Sequence, residues 1–421
     1  MKKKIALLLI AASIFTAIPF SVNAAISPAI DVLTEKVQAV KAGLYNCDVV
    51  FTKADFLQNL GLSKIGSVTF TSVPPSEEGY LYIANTVIEN GMKVSEDMLD
   101  MLRFRAASGE IDSSSFSYTT NEKYGSNEHC FNIVFLDGIN AAPVAATPDN
   151  APSLETYKNV PLFSRLSGSD PEGDEVIFKI IQAPKKGSIE IISETYGDFK
   201  YTPKKNYTGK DTFSYVVCDK YGNYSTVEKV TVRTVKNKSK TVFSDVSDTR
   251  YEYPAIAVSA KGLMQGTKIG DLNYFDYNGK VTRAEMLSYI MEAADIKLTK
   301  SSTDKFADVN AVPDKFMAYV ATAADLGIIN GSYEGTKLVF RPNDIVTKAE
   351  AATMAKAVIK AESEAVQTFA DSALCPDWCE SAIKTAAAYG LIVIENGNIS
   401  PSAQMTRGDA AILINTLSEM K

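Results

Sequence analysis

The chain has 421 residues, of which 22% are charged and 46% hydrophobic, and a formal net charge of −7. That balance is ordinary for folded domains, and the length suggests two to four of them. It excludes bulk electrostatic attraction to nucleic acid or to an anionic polymer, so any anionic ligand must be held by a few focal cations.

The N-terminus reads as an export leader. Met1-Lys2-Lys3-Lys4 is a positive start, Ile5 to Phe20 is apolar and uncharged, and Val22-Asn23-Ala24 offers small residues for cleavage after Ala24. The apolar run is short for a bilayer span of ~20 residues. No later segment is apolar for long enough to cross a membrane. From Ser27 to Leu44 the residues Ile30, Leu33, Val37, Val40 and Leu44 fall at helical spacing behind a Ser27-Pro28 start. This stretch therefore reads as a short helix opening the first domain, against the β pattern that follows.

Up to Val235 the pattern is mainly of strands. Alternating runs such as Gly79-Tyr80-Leu81-Tyr82-Ile83 and Phe213-Ser214-Tyr215-Val216-Val217 are broken by turn clusters. The two halves match internally. Phe104, Phe116-Ser117-Tyr118 and Lys123-Tyr124-Gly125 recur 97 residues later as Tyr201, Phe213-Ser214-Tyr215 and Lys220-Tyr221-Gly222; Phe70 and Gly79 recur 108 residues later as Phe178 and Gly187. A supersecondary unit of about a hundred residues, used twice with one insertion, explains both offsets.

Five cysteines and the single His129 match no zinc spacing. After export, Cys375 and Cys379 are candidates for a local staple, Cys47 and Cys130 for a bridge in the first domain, and Cys218 for a buried apolar residue. Asp170-Pro171-Glu172-Gly173-Asp174 places three carboxylates on one turn. Asp170, Glu172 and Asp174 are the weak calcium candidates, but Pro and Gly already explain a solvated acidic turn, and no metal or other cofactor is expected.

The second unit resembles the bacterial Ig-like and cadherin-like repeats of surface proteins. The residues that carry this are Asn140-Ala141-Ala142-Pro143-Val144, the Asp170 turn, Ala183-Pro184-Lys185-Lys186-Gly187 and Tyr201 through Asp211 to Tyr215. The resemblance implies a β-sandwich with aromatics between its sheets, and calcium in some relatives. The first unit reads as a degenerate copy.

After the basic linker at Lys236 to Lys240 the pattern turns helical. Phe243-Ser244-Asp245, Phe306-Ala307-Asp308 and Phe369-Ala370-Asp371 recur at intervals of 63 residues. Each leads to a helical stretch ending at Gly262, Gly327 or Gly390, glycines suited to the left-handed position past a helix. Each repeat then reaches a capping box: Thr282 with Glu285, Thr347 with Glu350, and Thr406 with the shorter acid Asp409. Each repeat is thus two helices joined by a loop, and three such pairs bury what one cannot.

These repeats resemble the S-layer homology domain, most clearly in Phe306-Ala307-Asp308-Val309, Gly327-Ile328-Ile329-Asn330-Gly331, Phe340-Arg341-Pro342 and Thr347-Lys348-Ala349-Glu350. The resemblance implies a pseudo-threefold module whose grooves bind secondary cell-wall polysaccharide, often bearing ketal-pyruvate. Carried onto this sequence, the polysaccharide-binding residues are Arg283, Lys348 and Arg407 in the boxes, Asp245, Asp308 and Asp371, Gly266 and Gly331, and Trp378. Arg283 and Arg407 stand at the first helical position, where a guanidinium can grip a carboxylate and free helix N–H groups would favour the same charge.

The expected architecture is two all-β Ig-like sandwiches followed by an all-α pseudo-threefold S-layer homology module. Its boundaries are a leader at 1–24, β domains at 25–140 and 141–235, a linker at 236–242, and repeats at 243–300, 301–362 and 363–421. The expected function is non-enzymatic: a surface protein held on wall polysaccharide, displaying its β domains. The alternatives are a subunit that self-associates in a surface layer and a wall-displayed carbohydrate-active enzyme.

Overall fold

The computed structural model describes residues 38–60, 62–120, 127–145, 154–359 and 369–420. The expected leader at 1–24 and the Lys123-Tyr124-Gly125 part of the internal repeat lie outside them. The chain divides into two compact units between Gly138 and Ile139.

The first unit is built from β1 (Gln38–Leu44), β2 (Val49–Val50), α1 (Lys53–Leu60), β3 (Ser67–Ser72), β4 (Gly79–Ile83), β5 (Thr86–Val87), β6 (Lys93–Ser95), β7 (Leu102–Ala106), β8 (Ser113–Thr120) and β9 (Glu128–Leu136). One sheet runs β1-β9-β8-β3-β6 and the other β2-β7-β4-β5. Strict alternation along β8 and β9 turns Phe116, Tyr118, Phe131 and Ile133 to the interior, where they join Phe51, Phe56, Phe70 and Phe104 in one apolar cluster. His129 is buried on the same face, and burial lowers its pKa.

Two expectations fail here for one reason. From Gln38 the chain is a strand, not a helix, and lies parallel to β9 with Gln38 opposite Cys130 and Leu44 opposite Leu136; the earlier part of the expected helix, 27–37, lies outside the described residues. Strand pairing overrides the weak helical spacing. That register also excludes a Cys47–Cys130 bridge. Cys47 lies beyond Leu44, six rungs from Cys130, or roughly 20 Å at ~3.3 Å per residue. A disulfide needs Cα atoms within about 7 Å.

The second unit starts with a sheet domain: β10 (Val144–Ala145), β11 (Glu155–Tyr157), β12 (Leu162–Arg165), β13 (Gly168–Ser169), β14 (Val176–Gln182), β15 (Gly187–Ser193), β16 (Asp198–Pro203), β17 (Gly209–Asp219) and β18 (Glu228–Val235). Its main sheets run β11-β18-β17-β14 and β12-β16-β15. Apart from β5 and β6, which have no counterpart here, the strand order is that of the first unit, including a parallel first strand (β1 on β9, β11 on β18). The repeated residues fall on matching strands, and they repeat for a steric reason. A Cβ at Gly79 would lie 2.6 Å from the Phe104 ring, and one at Gly187 would lie 2.5 Å from the Tyr201 ring. Each glycine lets a neighbouring strand pass over a buried aromatic.

The helical part follows in the same unit: α2 (Glu252–Ala260), α3 (Arg283–Ala293), α4 (Asp314–Asp325), α5 (Lys348–Ile359), α6 (Asp377–Ala388) and α7 (Arg407–Glu419). The loops of the first two pairs are hairpins, β19 (Thr267–Ile269) with β20 (Leu272–Tyr274), and β21 (Ser332–Glu334) with β22 (Lys337–Val339). All six helices contribute to one apolar core. Gly262, Gly327 and Gly390 have φ of 78, 71 and 66°, the left-handed ends expected of them.

Candidate functional site

The three repeats place the same parts in the same order, beginning with the aspartates. Asp245 accepts from the N–H groups of Phe275 and Asp276, Asp308 from Phe340 and Arg341, and Asp371 from Ile399 and Ser400. The second residue of each pair has φ of 56 to 59°. A side chain in that region costs about 1–2 kcal/mol. The carboxylate offsets it by taking the N–H of the strained residue itself, at 2.6 or 2.7 Å. Asp245, Asp308 and Asp371 therefore hold the turn that leads into the box.

The boxes are complete in all three repeats. Each threonine hydroxyl accepts the N–H three residues on, and each acid returns to the threonine N–H, the shorter Asp409 included.

The first-turn N–H groups are not free, however, and this corrects the expectation that they attract an anion. Those of Arg283 and Ala284 donate to Asp344 and Pro342, those of Lys348 and Ala349 to Ala403 and Pro401, and those of Arg407 and Gly408 to Gly279 and Tyr277. Each helix start is satisfied by the turn of another repeat, which meets the demand of its orphan donors. Deeper in, Val346 donates to Val281, Met405 to Val346, and Val281 to Met405, closing a circuit through all three repeats. Tyr277, Pro342 and Pro401 each stand five residues before a box threonine, so a constant spacing in the sequence marked this contact.

The three cations lie on the same seams. Arg283 is 7% exposed; its Nε donates to the Phe340 carbonyl and its Nη1 lies 2.6 Å from Glu350. Arg407 donates from Nε to Phe275 and from Nη2 to Gln265, with its guanidinium over the Phe275 ring. Lys348 makes a single 3.3 Å bond to Val393. At these seams each guanidinium spans two acceptors, whereas the Lys348 ammonium meets one.

Gly266 and Gly331 are close approaches. A Cβ there would lie 2.3 Å from the Phe243 ring or 2.7 Å from the Phe306 ring. Trp378, 60% exposed, stands on the first turn of α6. At that place in the first repeat Tyr251 stacks on Tyr277 and covers Gly408, and burial followed by the charge of Asp409 raises its pKa.

The remaining candidates are quieter. Asp170 accepts the N–H groups of Glu172 and Asp174, and Asp174 pairs with Lys220. Among the described residues no group of three or more acids, histidines or cysteines is arranged to hold a metal. All five cysteines are thiols, with Cys218 buried and the sulfurs of Cys375 and Cys379 3.5 Å apart.

Comparison with known proteins places families on this geometry. Residues 140–233 match the bacterial Ig domain, and residues 305–352 and 368–411 match the S-layer homology domain. The first repeat lies outside the matched residues, although it shares the clamp, the box and the seam contacts. The chain is 30% identical over 164 residues to the surface-layer 125 kDa protein of Lysinibacillus sphaericus, covering 38% of this chain and 13% of that one. It is 28% identical over 189 residues to exoglucanase XynX of Acetivibrio thermocellus, covering 43% and 17%. It is 23% identical over 367 residues to an amylopullulanase of Thermoanaerobacterium thermosulfurigenes, covering 82% and 18%. The chain thus spans less than a fifth of the length of these relatives. Its S-layer homology domains mark a cell-surface protein attached to the cell wall. No helix among the described residues is long and apolar enough to cross a membrane.

Proposed function

We propose that this chain is a non-enzymatic exported surface protein, held without covalent bonds on secondary cell-wall polysaccharide by a pseudo-threefold module of three S-layer homology repeats. The module carries two Ig-like sandwiches for display. The observation behind the anchoring role is one cation at every seam between repeats, set beside a turn that its own aspartate clamps. A pyruvyl carboxylate suits such a seam, because a cation gives it a charge-assisted hydrogen bond. Arg283 spends Nε and Nη1 on protein acceptors, and its Nη2 has no partner among the described residues. The non-enzymatic reading rests on economy: the two sheet domains and the helical module account for the described residues, and His129 lies in a core.

The test is pelleting of the full chain with purified sacculi before and after acid removal of their polysaccharide. Binding is expected before and not after. Arg283→Lys reproduces the residue that the second repeat already uses, so it keeps the fold and the charge while losing the fork. It should weaken pelleting roughly tenfold or more. A folded Arg283→Lys protein that pellets as well as the parent would defeat the seam assignment. The similarity to a surface-layer protein supports a second reading, self-association in a lattice. Electron microscopy of envelopes decides it: a regular array containing this chain favours the lattice.

A further inference from the structure

The third repeat is the short one. From the glycine that ends its first helix to the clamped left-handed residue it counts 10 positions (Gly390 to Ser400), against 14 in each of the others (Gly262 to Asp276, Gly327 to Arg341). The loss falls in the hairpin. Where the first two repeats carry β19–β20 and β21–β22, the third has one tight turn in which Glu395 and Asn398 exchange both hydrogen bonds around Asn396 and Gly397. Both central residues have positive φ, as a two-residue primed turn requires.

The sheet domain of the same unit lies against this shortened turn. The Tyr196 ring sits so close to Gly397 that a Cβ there would come within 2.4 Å of it, whereas nothing lies within 4 Å at the hairpin tips Gly270 and Gly335. Arg165, fixed bidentately by Asp198, donates from Nη2 to the Ile394 carbonyl. Ile394 occupies the place that glycine holds at 266 and 331. Instead of making way for its own aromatic, the third repeat puts an apolar side chain at the joint. Val160 of the sheet domain is buried in the apolar core of the helical module. Tyr157 packs on Tyr253, and Lys200 pairs with Asp248 at 2.8 Å.

We infer that the shortened turn of the third repeat is a built seat for the second sheet domain, so that domain and module move as one body. At the third turn the seat sets the Tyr196 ring on Gly397 and a fixed guanidinium on the Ile394 carbonyl; the same domain adds Val160 in the module core and, against the first repeat, the Tyr157–Tyr253 pair and the Lys200–Asp248 ion pair, the mixture typical of a specific interface. A wall-bound module then fixes the heading of the domain it carries, and the outer face of the third turn is closed to any outside ligand. This goes beyond the anchoring role and stands whether or not the module binds glycan.

Hydrogen exchange of the full chain, read by mass spectrometry, tests it from both sides. Val160→Asp puts a charge in the module core from the domain side. Gly397→Asn keeps a residue that tolerates left-handed backbone and drives its Cβ into Tyr196. Val160→Asp should speed exchange at 392–398, and Gly397→Asn should speed it at 156–165, each about tenfold or more, with β17 and α7 still protected. Gly335→Asn, at an open tip, should change neither segment. If each variant loosens only its own segment, or if both segments of the parent already exchange like open loops, there is no seat. Pelleting with sacculi does not enter the readout, so failure here and failure of the anchoring role are told apart.

Discussion

Repeats two and three stand one step apart in the chain and make the same circuit contacts, yet they treat the same position by opposite rules. Gly331 is glycine because the chain must pass over Phe306 at φ of 72°. Ile394, at the equivalent place, is a large apolar residue because the hairpin beyond it has been cut to a single turn and the space is taken by a neighbouring domain. The lesson is that a departure from a repeat's pattern need not be decay. It can mark where the repeat has acquired a partner that its siblings lack.

The strongest way to break that comparison is to exchange the rules. Gly331→Ala adds a left-handed cost of about 1–2 kcal/mol and an overpacking cost of about 1–3 kcal/mol. Ile394→Gly empties a buried site, for which aliphatic truncations in cores cost about 2–5 kcal/mol. Both should lower the urea midpoint of the second unit. Only Ile394→Gly should also loosen the 156–165 segment in exchange. If Gly331→Ala has no effect on the midpoint, the close approach over Phe306 is not what selects glycine.

The seam cations give the next largest effect. Arg283→Met removes two charge-assisted contacts and leaves Glu350 without its cation, a loss of about 1.5–3 kcal/mol for such a bond. Lys348→Met removes one longer bond to a carbonyl and should cost about 1 kcal/mol. Urea unfolding of the two variants should rank them in that order. The reverse ranking would mean that the Arg283 seam is not what ties the first repeat to the second.

Much of this was legible in the residues. The boxes, the left-handed glycines and the recurring Phe-x-Asp could be read because each is a local device whose partners lie within a few positions. The sheet domains could be read through the matched pairs Phe104 with Tyr201 and Gly79 with Gly187. What escaped reading was long-range. The strand at Gln38–Leu44 owes its form to β9, some ninety residues on. The helix N–H groups of Arg283 and Ala284 are consumed by Asp344 and Pro342, on another repeat. The aspartates suggested as ligand contacts turn their oxygens to backbone N–H groups about thirty residues away. Ile394 looked like the loss of a glycine, since only the folded chain brings Arg165 to it.

The smallest expected effect is one of pH, and it probes the joint from the domain side. Burial raises the pKa of Glu155; the charge of Arg233, 3.4 Å away, and that of Lys261 oppose the shift, and the like charge of Glu419 adds to it. A carboxyl whose folded pKa lies above its unfolded value binds its proton more tightly when folded. The stability it contributes is therefore complete below the ordinary carboxylate range and is lost as pH rises through the elevated value. Glu155→Gln removes that proton uptake and should flatten the decline of urea midpoint with pH just above the ordinary glutamate range, while leaving the midpoint at lower pH nearly unchanged. The effect should be smaller than either seam substitution, because Arg233 already answers part of the charge. The third repeat should feel it and the second should not: exchange at 392–398 should slow slightly as pH falls, after correction for the intrinsic rate, with no such trend at 332–339. Equal trends in both hairpin segments would mean that the acid acts on the module as a whole and not through the seat.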